Sequence, residues 1–258
     1  MTMKLQDITA ALEQIAPTRY AEPWDNVGLL VGDPAREVTR VLLAIDLTRE
    51  VADEAFAGGH ELVVAYHPPI FEGLKRITAS SLIWRVIERG VALYSPHTAL
   101  DVAQGGTNDV LADLVGMTER VPARVTRPDE GVGLGRVGPI PPTPRQELLN
   151  RIRDGLGVER VLVAGPTTGT VSRVAVGAGA CGDMIKEVLA ARVDLYLTGE
   201  MRHHDALRAA AAGVTVVCAL HSNSERCTLA RLAERMRAAV PGLTVDLSQR
   251  DRDPFVVW

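Results

Sequence analysis

Three short stretches of this sequence end an apolar run on residues able to bind metal ions or move protons. Residues 65–71 read AYHPPIF, residues 95–101 read SPHTALD and residues 220–226 read LHSNSER. His67 closes an apolar run and is followed at once by two prolines, which cannot extend a strand ladder and so fix the exit of the chain. His97 and Asp101 follow a second apolar run, and His221 and Glu225 follow a third with the same His-x-x-x-acid spacing. Imidazole and carboxylate together, without thiolate, suit Zn, Mn, Fe or Co. A shared carboxylate suits a pair of ions, and a bound divalent ion can generate a hydroxide nucleophile at neutral pH. The chemistry in view is therefore metal-assisted hydrolysis, with His97 or His204 shuttling protons.

Each stretch also has an ordinary explanation. His67 can be a core histidine at a strand end. Asp101 can serve turn geometry with His97 on the surface. Ser222 or Ser224 can cap a helix in which Glu225 is a first-turn acid favoured by the dipole. Three occurrences at three strand ends weigh against coincidence. Thr198-Gly199-Glu200 with His203 and His204 forms a fourth group, read as cleft lining or as a surface helix. Gly133-x-Gly135-x-x-Gly138 matches a dinucleotide fingerprint by letter only. That motif needs a strand before it and a helix after it, and here RPDE precedes and PIPP follows. Residues 24–28, WDNVG, read as an exposed polar turn.

The elements needed to position these residues follow from the pattern. Strands are expected at 38–45, 62–66, 91–95, 161–164, 171–177, 195–198 and 214–220. Helices are expected at 49–58, 80–89, 145–156, 184–191, 205–212 and 224–239, with another beginning at Asn108 as its N-cap. Strands alternating with helices imply βαβ units and largely parallel, buried sheets. Residues 121–144 break the alternation, are rich in Pro and Gly, and end in PIPPTP, which suits neither a helix interior nor a central strand. The division expected is an N-terminal α/β lobe over 1–120, a link over 121–144 and a C-terminal α/β lobe over 145–258, its last helix free to pack on the first lobe. Residues 38–67 align without a gap with 171–200, and SPHTALD aligns with ALHSNSE so that His97 falls on His221 and Asp101 on Glu225. The fold class expected is α/β, with two similar lobes from internal duplication, layered α/β/α sheets and a metal site in the cleft between them.

Composition narrows the setting. Of 258 residues, 47% are hydrophobic and 23% charged, with a net charge of -4, which offers no electrostatic case for nucleic acid or a membrane surface. The first residues read as an amphipathic helix with no basic-then-apolar leader pattern, and the apolar runs are too short to span a bilayer. Three cysteines without a C-x-x-C argue against a disulfide framework or zinc ribbon and for a reducing, cytoplasmic setting. Cys218, inside an apolar run, reads as core.

Taken together, PWDNVGLLVGD, AYHPPIF, SPHTALD, LTGEMRHHDAL, LHSNSER and the closing DRDPF resemble the NIF3-like family, also labelled GTP cyclohydrolase 1 type 2 homologue. The resemblance spans nearly the whole chain with its motifs in order. It implies two α/β lobes, a dinuclear metal centre in the cleft, a ring-shaped homohexamer and a small-molecule substrate of unknown identity. Its ligand set maps onto His67 as the second of a His-His pair, Asp101, His221 and the bridging Glu225, giving one or two divalent ions per protomer. Some members carry an inserted middle domain, whereas this chain looks like the short form. One position departs: the first His of the pair is Tyr66, and neutral tyrosine is a poor ligand. The position shared by Asp101 and Glu225 is therefore expected to hold metal more weakly than the one with His67, His221 and Glu225. A non-catalytic metal-holding scaffold or regulatory interaction protein is the alternative function.

Overall fold

A strand that is apolar at every position needs cover on both faces, and the chain builds two such sheets. The computed structural model describes residues 3–256 and 258. The elements of the first half are β1 (Met3–Lys4), α1 (Leu5–Ile15), β2 (Gly28–Val31), β3 (Glu37–Val38), β4 (Arg40–Ala44), α2 (Arg49–Ala57), β5 (Leu62–Ala65), α3 (Leu82–Glu88), β6 (Ala92–Ser95) and α4 (His97–Val102). Those of the second are α5 (Thr107–Leu114), β7 (Arg124–Arg127), β8 (Val132–Leu134), β9 (Arg136–Pro144), α6 (Arg145–Gly155), β10 (Leu162–Ala164), β11 (Thr170–Gly177), α7 (Ile185–Ala190), β12 (Leu195–Thr198), α8 (His203–Ala211), β13 (Thr215–Cys218) and α9 (His221–Ala239), followed by β14 (Thr244–Leu247). The chain divides into two compact units. The first runs to Gln104 and includes Leu229–Pro254; the second comprises Gly105–Thr228 and the last residues from Phe255.

The first unit is built on a five-stranded sheet in the order β14-β4-β5-β6-β2. Alternation along β4 and β5 sends side chains to opposite faces. Val41, Leu43, Leu62 and Val64 pack with Leu5, Ile8 and Leu12 of α1 and Leu232 and Met236 of α9. Leu42, Ala44, Val63 and Ala65 pack with Val51 of α2 and with Ile83 and Val86 of α3. Thr48 caps α2 by accepting from the Val51 amide, and Ser81 caps α3 through the Trp84 amide.

The second unit repeats the plan with the order β10-β13-β12-β11-β9. Val174, Val176, Leu195 and Leu197 face α5 and α6, while Ala175, Tyr196 and Val216 face α7 and α8. The registers coincide with those of the first unit. Val41 pairs with Leu62 and Ala44 with Ala65; Val174 pairs with Leu195 and Gly177 with Thr198, each 133 positions later. A carboxylate closes the start of each pair in the same way. Glu61 accepts from the amides of Thr39 and Arg40, and Asp194 from those of Ser172 and Arg173. Counting on from the third strand of each set, whose Ala92 and Thr215 are equivalent, places Asp101 level with Ser224 and His97 level with Leu220. The alignment of His97 with His221 and of Asp101 with Glu225 is thus one residue out of strand register. His97 (φ 25°) and Leu220 (φ 69°) share a positive φ, which is costly for residues with a Cβ and marks the sharp turn into each helix.

Three expectations are corrected. Residues 136–144 of the expected link form β9, the nine-residue edge strand beside β11. Proline is barred from central strands by its missing N–H, not from an edge. Asn108 lies inside the first turn of α5, whose N-cap is Gly106; its buried Oδ1 accepts from the Ala178 amide at 3.0 Å instead. Helix α9 starts at His221, not Ser224. The glycines of the false fingerprint serve close packing: a Cβ on Gly133 would lie 2.0 Å from the Arg124 carbonyl oxygen, and one on Gly138 1.8 Å from that of Glu119. No helix among the described residues is long and apolar enough to cross a membrane.

Candidate metal centre

In the first unit the ladder continues past β5. Tyr66 and His67 donate their amides to the carbonyls of Ala44 and Ile45, so rigid backbone presents His67 before Pro68 and Pro69 turn the chain away. His67 Nδ1 lies 2.9 Å from Asp46 Oδ1, just beyond β4. A carboxylate only accepts, so Nδ1 donates and Nε2 keeps the lone pair a metal needs. Tyr66 is fully buried, and its hydroxyl donates to Asp101 Oδ1 on α4.

Beside them, His97 Nδ1 is 2.8 Å from Asp25 Oδ1, while Asp25 Oδ2 accepts from the Thr98 amide and hydroxyl. Burial pushes the Asp25 carboxyl up, but the bonds from His97 and Thr98 outweigh it and hold the group below its ordinary value. The segment expected to be a plain exposed turn therefore contains a wholly buried carboxylate side chain that orients His97. The rings of His67 and His97 meet edge-on, with centroids 5.3 Å apart.

In the second unit, His221 and Glu225 lie one turn apart at the start of α9, which puts them on one face. His221 Nε2 is 3.2 Å from Glu225 Oε1, and Nδ1 is 3.4 Å from Glu200 Oε2, just beyond β12. Glu225 is 2% exposed. The space for it exists because Gly179 (φ +59°) has no side chain: a Cβ there would stand 2.5 Å from Glu225 Oε1 and 3.1 Å from His221 Nε2. Ser224 does not cap the helix; its Oγ accepts from the Gly179 amide at 2.8 Å and holds that strand end in place. Cys218 is half-buried rather than core, and its thiol is pushed up to about 11, chiefly by burial and then by Glu200.

Among the described residues, one ligand-type atom each from His67, His221 and Glu225 lies within 4.8 Å of the other two. This donor set suits a divalent ion: two imidazoles and one carboxylate, with an outer carboxylate on His67 and another on His221. Asp101, Tyr66, His97 and His204 are not in that group. His204 opens α8 beside His203; both are exposed, with ring centroids 5.3 Å apart. Asp46 and Gly179, which shape the site, were not singled out by sequence. Their signal lies in the alignment of 38–67 with 171–200, in which they occupy the same column.

The sequence pattern of the family described as Duf34/NIF3 (NGG1p interacting factor 3) matches residues 3–254. The chain belongs to the Duf34/NIF3 family. A Clostridium perfringens relative named GTP cyclohydrolase 1 type 2 homolog is 32% identical over 259 residues, covering 98% of this chain and 99% of its own. A Drosophila melanogaster relative named NIF3-like protein 1 is 38% identical over 268 residues, covering 98% and 89%. The crystal structure of a Bacillus cereus protein related to NIF3 superposes with a TM-score of 0.90 at 22% identity, covering 99% of each chain, and so shares the Duf34/NIF3 fold.

Proposed function

We propose that this Duf34/NIF3 protein is a metal-dependent hydrolase acting on a nucleotide or cyclic amide, with His67, His221 and Glu225 as the firmer of two metal positions. The observation carrying this reading is the convergence of those three side chains, with Gly179 leaving the room that Glu225 occupies. A divalent ion bound there would supply Lewis-acid polarisation and a water of lowered pKa, about 7 in favourable sites. Asp46 fixes the tautomer of His67, and Glu200 flanks His221. His97, steered by Asp25, is placed to exchange a proton with substrate, and the exposed His204 is a second candidate for that role. Asp101 would complete the weaker position, where Tyr66 takes the place of a histidine. The shared strand registers support an origin of the two lobes by internal duplication, and a homohexamer is the assembly proposed from the family resemblance.

The test is direct. Wild-type protein loaded with Zn, Mn, Fe or Co in turn should turn over a nucleotide or cyclic amide, and Glu225→Gln should abolish turnover. Equal turnover by both proteins would sink the hydrolase reading. The Tyr66–Asp101 hydrogen bond favours the second reading, a metal-holding scaffold, because it occupies a carboxylate that a dinuclear catalyst would need. Tight metal binding with no turnover of any nucleotide would select it.

A further inference from the structure

Two aromatic side chains beside the site are left facing solvent although their loops are anchored. Trp24 is 58% exposed and Phe71 51% exposed. Their ring centroids lie 5.9 Å apart at 48°, so neither ring covers the face of the other. In each loop the neighbouring residue points inward. Asp25 is buried beneath His97 and Thr98, and Ile70 packs against the sheet. The Asn26 amide donates to the Ile70 carbonyl at 2.5 Å and ties the two loops together. Prolines 68 and 69 stiffen the second loop. Water-exposed aromatic surface on a rigid mount is unfavourable in isolation and preorganised for a partner.

The position names the partner. Trp24 meets His97 edge-on at 6.0 Å, and His97 meets His67 at 5.3 Å. A run of rings thus leads from the exposed pair to His67 of the metal group. We infer that Trp24 and Phe71 form a stacking shelf that holds a planar heteroaromatic ring of the substrate, such as a nucleobase, next to His97. Stacking is tolerant of ring identity, because every such ring has a π-face, and it requires no hydrogen-bond readout. The inference deepens the hydrolase reading, since it names the substrate class of the same site, yet ring binding itself needs no metal.

The experiment is calorimetric titration of the full-length protein with GMP, with ribose 5-phosphate as the ringless control, done with and without added Mn. GMP should bind and ribose 5-phosphate should not. Trp24→Ala and Phe71→Ala should each weaken GMP at least about fivefold, and Trp24→Phe should recover most of the loss. GMP affinity should be the same with and without added Mn, because ring binding itself needs no metal. If wild-type protein holds no metal but GMP binding still needs Trp24, the metal reading falls and the shelf stands. Absence of GMP binding, equal binding of ribose 5-phosphate, or unchanged GMP affinity in Trp24→Ala would overturn the shelf. So would a change of sedimentation in Trp24→Ala with GMP affinity intact, since the aromatic pair would then be a contact between copies of the chain.

Discussion

The strand ends of the two units share a register but are filled in opposite ways. Beyond β4 and β5, the first unit places Asp46, Tyr66 and His67, and Tyr66 reaches Asp101. The same positions beyond β11 and β12 hold Gly179, Gly199 and Glu200, with Ser224 level with Asp101. A Cβ on Gly199 would lie 2.8 Å from Ser224 Oγ, so the gap spanned by a tyrosine in one unit is closed by backbone in the other. One end is bulky and internally hydrogen-bonded. Its counterpart is emptied of side chain, and the carboxylate of α9 moves in. Position 67 carries a histidine and position 200 a carboxylate beside His221, which shows that a shared frame fixes where groups go and leaves their chemistry free.

Four substitutions probe this contrast. His221→Ala removes a proposed ligand and should lower divalent-metal affinity by more than about 100-fold, beyond the usual loss for an outer partner, in competition with a chromogenic chelator. Gly179→Ala and Asp46→Ala change equivalent positions in opposite senses. Adding a methyl should displace Glu225, and deleting the carboxylate should release His67. Both are expected to cost about 10–100-fold in the same assay, with Gly179→Ala also losing about 1–2 kcal/mol in urea denaturation from its positive φ. Tyr66→His places a ligand type where the family resemblance has one, and should raise tightly bound metal measured by mass spectrometry toward two ions per protomer.

The smallest effect concerns Asp25. Its folded pKa lies below the ordinary 3.8. It therefore adds stability that is complete above the unfolded value and fades as pH falls from about 5 through the folded value. Urea midpoints of Asp25→Asn should accordingly depend less on pH across that acid window than those of wild type. Parallel curves would show that the His97–Asp25 contact does not contribute in this way.

Periodicity made the sheets and most helices legible, because strands buried on both faces leave unbroken apolar runs such as VLLAI and LYLT. The gapless alignment of the halves carried the register of β4–β5 and β11–β12. The separate alignment of SPHTALD with ALHSNSE slipped by one at His97 because Pro96 and the positive-φ turn lie beyond the strand, where a repeating pattern has no hold. Strand β9 was hidden by its four prolines, which an edge tolerates and a composition rule counts as linker. Asp25 and Asp46 were missed for a shared reason: each acts through a histidine distant in sequence, a relation that only the fold creates.

Anomalous diffraction from crystals grown with Mn distinguishes the two proposed metal positions. A strong peak is expected within reach of His67, His221 and Glu225, with a weaker peak or none on the Asp101 side. Two peaks of equal, full occupancy, or metal bound away from His67, His221 and Glu225, would contradict that expectation.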